Sequence, residues 1–134
     1  MKVIVDTSVW SLAFRRKAVV KTAEVVDLVR VVEEGLVVLL GPVRQEVLSG
    51  IKHREQFDRL RERLAAFPDL ELKTRDFETA AELCNLWIAK GVQASHTDFL
   101  IAAAAIIRGY AVLSADQDFM NIARIVPVRT YGQR

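Results

Sequence analysis

Several features that define whole classes of proteins are missing or scarce in this sequence of 134 residues. Cys84 is the only cysteine, which excludes an internal disulfide and a cysteine-based zinc cluster. Only two histidines occur, His53 and His96, so a mechanism built on a pair of histidines is disfavoured. The longest uninterrupted apolar run, residues 99–107, is too short to cross a bilayer. Disulfide scaffolds, zinc proteins and membrane-spanning proteins are therefore poor descriptions of this chain.

Charge and composition further restrict the class of protein to which this sequence can belong. The net charge is +2, which is too small to indicate a nucleic-acid partner by itself. Hydrophobic residues make up 51% and charged residues 27% of the chain, a balance typical of globular proteins. An acid, Asp6, stands where a signal peptide would still be apolar. We therefore expect one domain spanning residues 1–134, located in the cytoplasm.

Short apolar runs alternate with longer helical patterns, which predicts an α/β fold with a parallel sheet covered on both faces. The strand candidates are residues 3–5, 37–40, 70–73, 111–113 and 126–130, the third of them a weak edge strand. The helical patterns cover residues about 19–34, 57–67, 77–88 and 95–108, and Gly41-Pro42 opens a further helix. One apolar stripe of the third pattern consists of Phe77, Ala80, Ala81, Cys84, Trp87 and Ile88.

Acidic residues recur where the predicted strands end. Asp6 follows the first strand, and Asp116 follows residues 111–113, with Asp118 two positions later. Asp98 lies in the first turn of the helix before that strand, and Glu46 lies in the second turn of the helix opened by Gly41-Pro42. Ligands of open parallel sheets bind at the carboxyl ends of the strands. Four segments are thus expected to bring carboxylates to one edge of the sheet.

Each acid also has a purely structural interpretation. Asp6 is placed to stabilise the start of the next helix. Asp98 stands three residues after Ser95, which is the spacing of a capping box. Asp116 and Asp118 fit turn and helix-cap positions. Taken singly, these residues leave both interpretations open.

Glu46 and Asp98 are harder to explain structurally, because neither has a basic residue one helical turn away. Acids without partners beside apolar runs are costly unless something neutralises them. A divalent cation would do so. Clustered carboxylates without thiols or histidines favour magnesium or manganese over zinc.

Four segments of the chain resemble, in order, the motifs of the PIN-domain family. They are residues 3–10 with Asp6-Thr7-Ser8, residues 41–48, residues 97–103 and residues 113–119. No single motif is specific, but together they follow the family order over nearly the whole chain. The resemblance is to the VapC-type toxins of toxin–antitoxin systems in particular.

This resemblance implies a fold and an activity. The fold would be a three-layer α/β/α sandwich with a central, mainly parallel sheet of four or five short strands. The activity would be that of a Mg²⁺-dependent endoribonuclease, with Mn²⁺ as an alternative ion, which hydrolyses RNA phosphodiester bonds with a metal-activated water. The resemblance also implies inhibition by a VapB-type antitoxin, and a homodimer.

The resemblance assigns site residues by position. The catalytic and metal-binding acids would be Asp6, Glu46, Asp98 and Asp116, with Asp118 as a further metal ligand or as the alternative to Asp116. Thr7 and Ser114 occupy hydroxyl positions that help to hold metal or water in the family. The residues themselves also offer a basic cluster, Arg15-Arg16-Lys17, as a candidate phosphate contact.

Two rival functions are weighed on the same residues. A phosphotransfer or phosphatase domain would carry paired acids or Asp-x-Asp after the first strand, whereas Asp6 is followed by Thr7 and Ser8. A receiver domain would also need a late lysine, and no lysine follows Lys90. The alternative within the family is a catalytically silent PIN-fold module that binds RNA or protein, which would lack some of the acids. The sequence leaves open which RNA is cut and whether one metal or two are bound.

Overall fold

The protein is described by a computed structural model that covers residues 1–14, 22–91 and 94–132. Within these residues, four short strands form one parallel sheet. The strands are β1 (Val3–Val5), β2 (Val37–Val38), β3 (Ala111–Leu113) and β4 (Arg129–Thr130). Their order is β2-β1-β3-β4, which places β1 and β3 in the centre.

The two central strands position the site. All residues of β1 and β3 are apolar and buried, because both faces of the sheet are covered. The register pairs Val3 with both Val37 and Ala111. Since all pairings are parallel, the chain leaves β1 and β3 at the same edge of the sheet. The residues that follow these two strands therefore meet there.

Seven helices in the described ranges connect and cover the strands. They are α1 (Thr7–Phe14), α2 (Ala23–Glu33), α3 (Gly41–Leu48), α4 (Arg54–Leu64), α5 (Thr74–Ala89), α6 (His96–Arg108) and α7 (Gln117–Ala123). Gly109 ends α6 in the left-handed conformation, with a φ of 71°, as a C-terminal glycine does. The predicted three-layer α/β/α arrangement with a parallel sheet of four strands is confirmed. None of the helices described is long and apolar enough to cross a membrane.

The predicted edge strand at residues 70–73 is wrong. The chain makes only a single parallel bridge there, between Leu39 and Asp69, and the Leu70 N–H donates to the Leu39 carbonyl at 2.8 Å. The residues just before this segment are held by a side chain. Arg44 donates to the Asp69 carboxylate at 2.8 Å and to two nearby main-chain carbonyls.

Two other predicted strands are shorter than expected, and the one expected over residues 37–40 is confined to Val37–Val38. The last strand, expected over residues 126–130, is confined to Arg129–Thr130. Pro127 explains the loss, because it has no N–H to donate to a neighbouring strand. The helix expected from about residue 19 begins at Ala23 among the described residues, and residues 15–21 lie outside the description.

The apolar stripe of α5 is only partly covered. α5 lies along α6, and Trp87 is buried against the core while Cys84 is half-buried. Phe77, in contrast, leaves 53% of its surface exposed, and Ile88 leaves 66% exposed. Large apolar side chains at the surface of a helix identify a face on which other molecules can pack.

Candidate active site

Three carboxylates meet at the carboxyl edge of the sheet. Asp6 follows β1, Asp116 follows β3, and Asp98 lies in the first turn of α6. One oxygen of each of the three carboxylates lies within 4.8 Å of those of the other two. The convergence predicted from the strand ends is therefore present for these three acids, which we call the acidic cluster.

The Asp6 carboxylate is held by two hydroxyl groups. Ser8 Oγ donates to its Oδ2 at 2.9 Å, and Ser114 Oγ donates to the same oxygen at 2.8 Å. The side chain is nearly inaccessible, with 3% of the residue exposed. Burial raises the pKa of Asp6 above its usual value, and the Asp116 charge adds to the rise, while the two hydroxyl donors oppose it.

Asp98 serves two purposes at once. It completes the capping box that its spacing predicts, because its Oδ2 accepts the Ser95 N–H at 3.2 Å while Ser95 Oγ accepts the Asp98 N–H at 3.1 Å. Its carboxylate also belongs to the acidic cluster. Burial raises the pKa of Asp98 from 3.8 to about 6, and the charges of Asp6 and Asp116 contribute to the rise. The structural and the functional interpretations of this residue are thus compatible.

Asp116 is placed by the turn that leads from β3 into α7. Its N–H donates to Ser114 Oγ at 3.0 Å, and its Oδ1 accepts the Asp118 N–H at 3.0 Å as the N-cap of α7. Asp118 is exposed, and its carboxylate is not part of the acidic cluster found among the described residues. The assignment of Asp118 as a metal ligand stays a prediction.

Glu46 lies beside the acidic cluster but is not a member of it. Thr7 Oγ1 donates to its Oε1 at 2.7 Å, and Thr97 Oγ1 donates to its Oε2 at 3.1 Å. These two threonines are the sequence neighbours of Asp6 and Asp98, so Glu46 is tied to both segments. Hydroxyl groups rather than a basic residue are therefore the observed partners of this acid.

Two polar residues of the site were missed by sequence reasoning. Ser8 donates to Asp6 and accepts the Ala115 N–H at 3.0 Å, so it joins the segments that follow β1 and β3. Thr97 fixes one oxygen of Glu46. The signal for Ser8 was its place two residues after Asp6, a spacing at which a hydroxyl reaches a neighbouring carboxylate. The predicted phosphate contact at residues 15–17 lies outside the described residues.

The donor set of the cluster fits a hard divalent cation. All three groups are carboxylates, and no ion pair among the described residues includes Asp6, Asp98 or Asp116. Asp6 and Asp98 are nevertheless almost fully buried. Buried, mutually repelling carboxylates of this kind are stabilised by a cation with a preference for oxygen ligands. The arrangement can therefore hold such an ion at the edge of the sheet.

Burying these carboxylates lowers the free energy of unfolding of the metal-free protein, and this effect can be measured. The folded pKa of Asp98 lies above its ordinary value of 3.8, so its contribution favours the folded state below about pH 4 and is lost as the pH rises to about 6. We expect Asp98→Asn, which keeps the capping acceptor, to raise the free energy of unfolding in EDTA at pH 7.5 by about 1–3 kcal/mol. Chemical denaturation at pH 7.5 and pH 4.5 measures the gain, which should shrink at the lower pH.

The matched control for this stability prediction is Glu62→Gln, which removes the same charge from an exposed position on α4. It should change the free energy of unfolding by less than about 0.5 kcal/mol. A metal-free Asp98→Asn protein that is less stable than the parent at pH 7.5 would contradict the assigned cost of burial.

Comparison with known proteins identifies relatives along the whole chain. A family model described as the PIN domain matches residues 3–125. A VapC ribonuclease of Mycobacterium bovis and Ribonuclease VapC11 of Mycobacterium tuberculosis are each 31% identical over 134 residues. Each of these matches covers 98% of this chain and 99% of the relative.

Two solved structures share the fold. FitAcB from Neisseria gonorrhoeae superposes with a TM-score of 0.74 at 19% identity, covering 97% of this chain and 96% of that one. VapBC2 from Rickettsia felis, bound to a DNA fragment from its promoter, gives a TM-score of 0.77 at 16% identity and covers both chains completely. At these identities the likeness concerns the fold alone.

Proposed function

Because this chain belongs to the PIN domain family, we propose that it is a metal-dependent endoribonuclease of the VapC type. The observation that carries the proposal is the convergence of Asp6, Asp98 and Asp116 within 4.8 Å. The full-length relatives named as VapC ribonucleases support the substrate class and the hydrolysis of phosphodiester bonds. RNA is therefore the substrate we assign to this site.

We assign the metal to the acidic cluster and Mg²⁺ as the ion, with Mn²⁺ as a substitute. Asp6, Asp98 and Asp116 would hold it, because their oxygens converge and two of the three are buried. When bound, such an ion supplies Lewis acidity for water activation and for stabilising charge on the phosphate. Oxygen-only donor sets favour these two ions over zinc.

The other residues of the site act by holding the carboxylates in place. Ser8 and Ser114 fix one oxygen of Asp6, which leaves its other oxygen free of these donors. Thr7 and Thr97 occupy both oxygens of Glu46 and fix its orientation beside the cluster. We propose that Glu46, being exposed, acts from the rim of the site, where it can orient water or a hydrated cation rather than bind deep in the cluster.

We further propose that the protein is cytoplasmic, forms a homodimer and is inhibited by a VapB-type antitoxin. The solved relative VapBC2 is a complex by its name, which supports a protein partner for this chain. An exposed apolar row on α2 also supports a protein partner, because this row offers a surface on which the partner can pack. The row consists of Val26, Val29 and Val32.

The alternative function is a catalytically silent PIN-fold module that binds RNA or protein. Such a module has no need for converging buried carboxylates, which cost stability in the absence of a cation. All four acids of the family motifs are present in this chain and three of them converge, which favours the enzyme.

The deciding experiment is cleavage of total RNA by the purified protein. We expect cutting with Mg²⁺, none in EDTA, and recovery when excess Mg²⁺ is restored, because the carboxylates alone repel the phosphate. Asp6→Asn, purified in the same way, should cut at least about a hundredfold more slowly. Equal cutting in EDTA, or by Asp6→Asn, would point to a contaminating ribonuclease. A folded protein that binds Mg²⁺ and cuts no RNA would favour the silent module.

A further inference from the structure

An apolar groove lies between α5 and α6, next to the acidic cluster. It has a volume of about 430 Å³, within the range of roughly 300–1,000 Å³ that is typical of small-molecule sites. Most of its lining is apolar, including the exposed ring of Phe77, and polar groups are contributed by Asn85, His96 and Thr97. A few polar groups in an apolar wall are what a site for a flat, partly polar ligand requires.

The groove and the candidate active site share a wall. Thr97 lines the groove and also donates to Glu46 Oε2 at 3.1 Å. Pro42, another lining residue, lies one helical turn before Glu46 on α3, so both point to the same side of that helix. Asp98 of the cluster directly follows Thr97 in α6. An RNA strand bound at the carboxylates can therefore reach the groove, which lies on the α5 side of the site.

We propose that this groove receives one unpaired nucleobase of the RNA, adjacent to the phosphate that is cut. Phe77 supplies a stacking surface, and the Asn85 amide, which both donates and accepts, reads the polar edge of the base. Sequence-specific proteins commonly recognise RNA by stacking splayed bases on aromatic side chains. This inference rests on the proposed ribonuclease function and adds a residue-level basis for its sequence preference.

The continuity with the acidic site favours a nucleobase over a protein segment as the occupant. A protein partner would use the exposed apolar face of α5 as a whole, including Ile88, which does not line the groove. A base needs only the groove and its polar rim. Ile88→Ala is therefore a matched control, because it removes another large, exposed apolar side chain from the same helix.

The first step of the test is to read the cleavage sites of the parent protein in a random-sequence RNA pool with Mg²⁺. An oligonucleotide with the preferred sequence then serves as the substrate for steady-state kinetics. We expect Phe77→Ala to raise KM roughly ten- to one-hundredfold with kcat within about threefold, because stacking does not depend on which base is bound. Asn85→Ala should flatten the base preference at one position, because the Asn85 amide reads the polar edge of the base. Phe77→Tyr should keep the KM of the parent protein, and Ile88→Ala should change neither KM nor the base preference.

The second step identifies the occupant directly with an abasic nucleotide placed at the affected position. It should weaken binding by the parent protein but have a smaller effect on Phe77→Ala, because the stacking contact is already absent from that variant. Additive effects, or an unchanged KM in Phe77→Ala, would overturn the subsite while leaving the ribonuclease intact. If Phe77→Ala and Ile88→Ala both dissociate an oligomer seen by size-exclusion chromatography, the groove is a protein interface and the subsite is wrong. A parent protein that cuts nothing would refute the proposed function itself.

Discussion

Replacing Asp116 by asparagine is expected to lower kcat/KM for RNA cleavage by about a thousandfold, whereas the same replacement at Asp118 should change it by less than about threefold. The two acids stand two residues apart at the start of α7, and the sequence leaves open which of them belongs to the site. Of these two acids, Asp116 is the one whose carboxylate lies within 4.8 Å of those of Asp6 and Asp98. Losing a charged metal ligand removes several kcal/mol of transition-state stabilisation, which gives the expected factor.

Each of these two variants removes a charge and is expected to leave the fold intact. Asp116 Oδ1 accepts the Asp118 N–H as the N-cap of α7, and asparagine can accept the same bond. Circular dichroism and the midpoint of thermal unfolding should therefore be close to those of the parent. Calorimetric titration with Mg²⁺ or Mn²⁺ should show weaker binding for Asp116→Asn alone. Equal losses in both variants would mean that Asp118 moves into the site when metal or RNA binds.

The largest stability effect is expected from Arg108→Ala, at about 3–5 kcal/mol of unfolding free energy. Arg108, near the end of α6, donates to Asp76 Oδ1 at 2.6 Å and Oδ2 at 2.8 Å, and it also binds the Glu71 carbonyl at 3.3 Å. Asp76 is 1% exposed and caps the start of α5 through the Lys73 N–H. Removing the guanidinium leaves a buried charge without its cation.

The sign of the pH dependence checks this assignment. The Arg108 guanidinium holds the pKa of Asp76 below its ordinary value of 3.8. The pair therefore stabilises the fold above about pH 4, and this stabilisation is lost as the pH falls through the lowered pKa. The destabilisation caused by Arg108→Ala should accordingly shrink in acid. Denaturant titrations at pH 7 and at pH 3 measure both values.

Two further variants make the ion-pair prediction specific. Arg54→Ala breaks an exposed pair with Asp58, in which the Arg54 side chain is 74% exposed, and should cost less than about 1 kcal/mol. Adding Asp76→Asn to Arg108→Ala removes the orphaned charge but keeps an acceptor for the Lys73 N–H. The double variant should recover part of the loss. If Arg108→Ala costs no more than Arg54→Ala, the buried pair contributes nothing beyond a surface contact.

The sequence by itself determined the framework of the site. Runs such as Val3–Val5 and residues 111–113 are uniformly apolar because both faces of a parallel sheet are buried, and that pattern is visible without coordinates. The acids that follow such strands had to lie at one edge, and the spacing of Ser95 and Asp98 predicted a capping box that the structure contains. These are local properties, set by a few consecutive residues.

Sequence reasoning failed where a segment depends on distant packing. The predicted strand at residues 70–73 is replaced by one bridge at Asp69, and side chains from elsewhere bind its main-chain groups. Arg108 donates to the Glu71 carbonyl, and Asp76 accepts the Lys73 N–H. Phe77 and Ile88 belong to an apolar stripe, yet both are exposed, since periodicity shows that a face is apolar but not what covers it.

Only the tertiary structure decided which acids meet. Asp6 and Ser114 share a hydrogen bond across 108 positions of sequence, and Glu46 is bound by threonines from two other segments. The pKa of Asp98, raised to about 6, depends on burial and on charges brought close by the fold. Differences of a few ångströms in the distances between carboxylates determine whether they repel one another, bind a cation together or do not interact. Such distances follow from the packing of the whole sheet edge, and no short stretch of sequence specifies them.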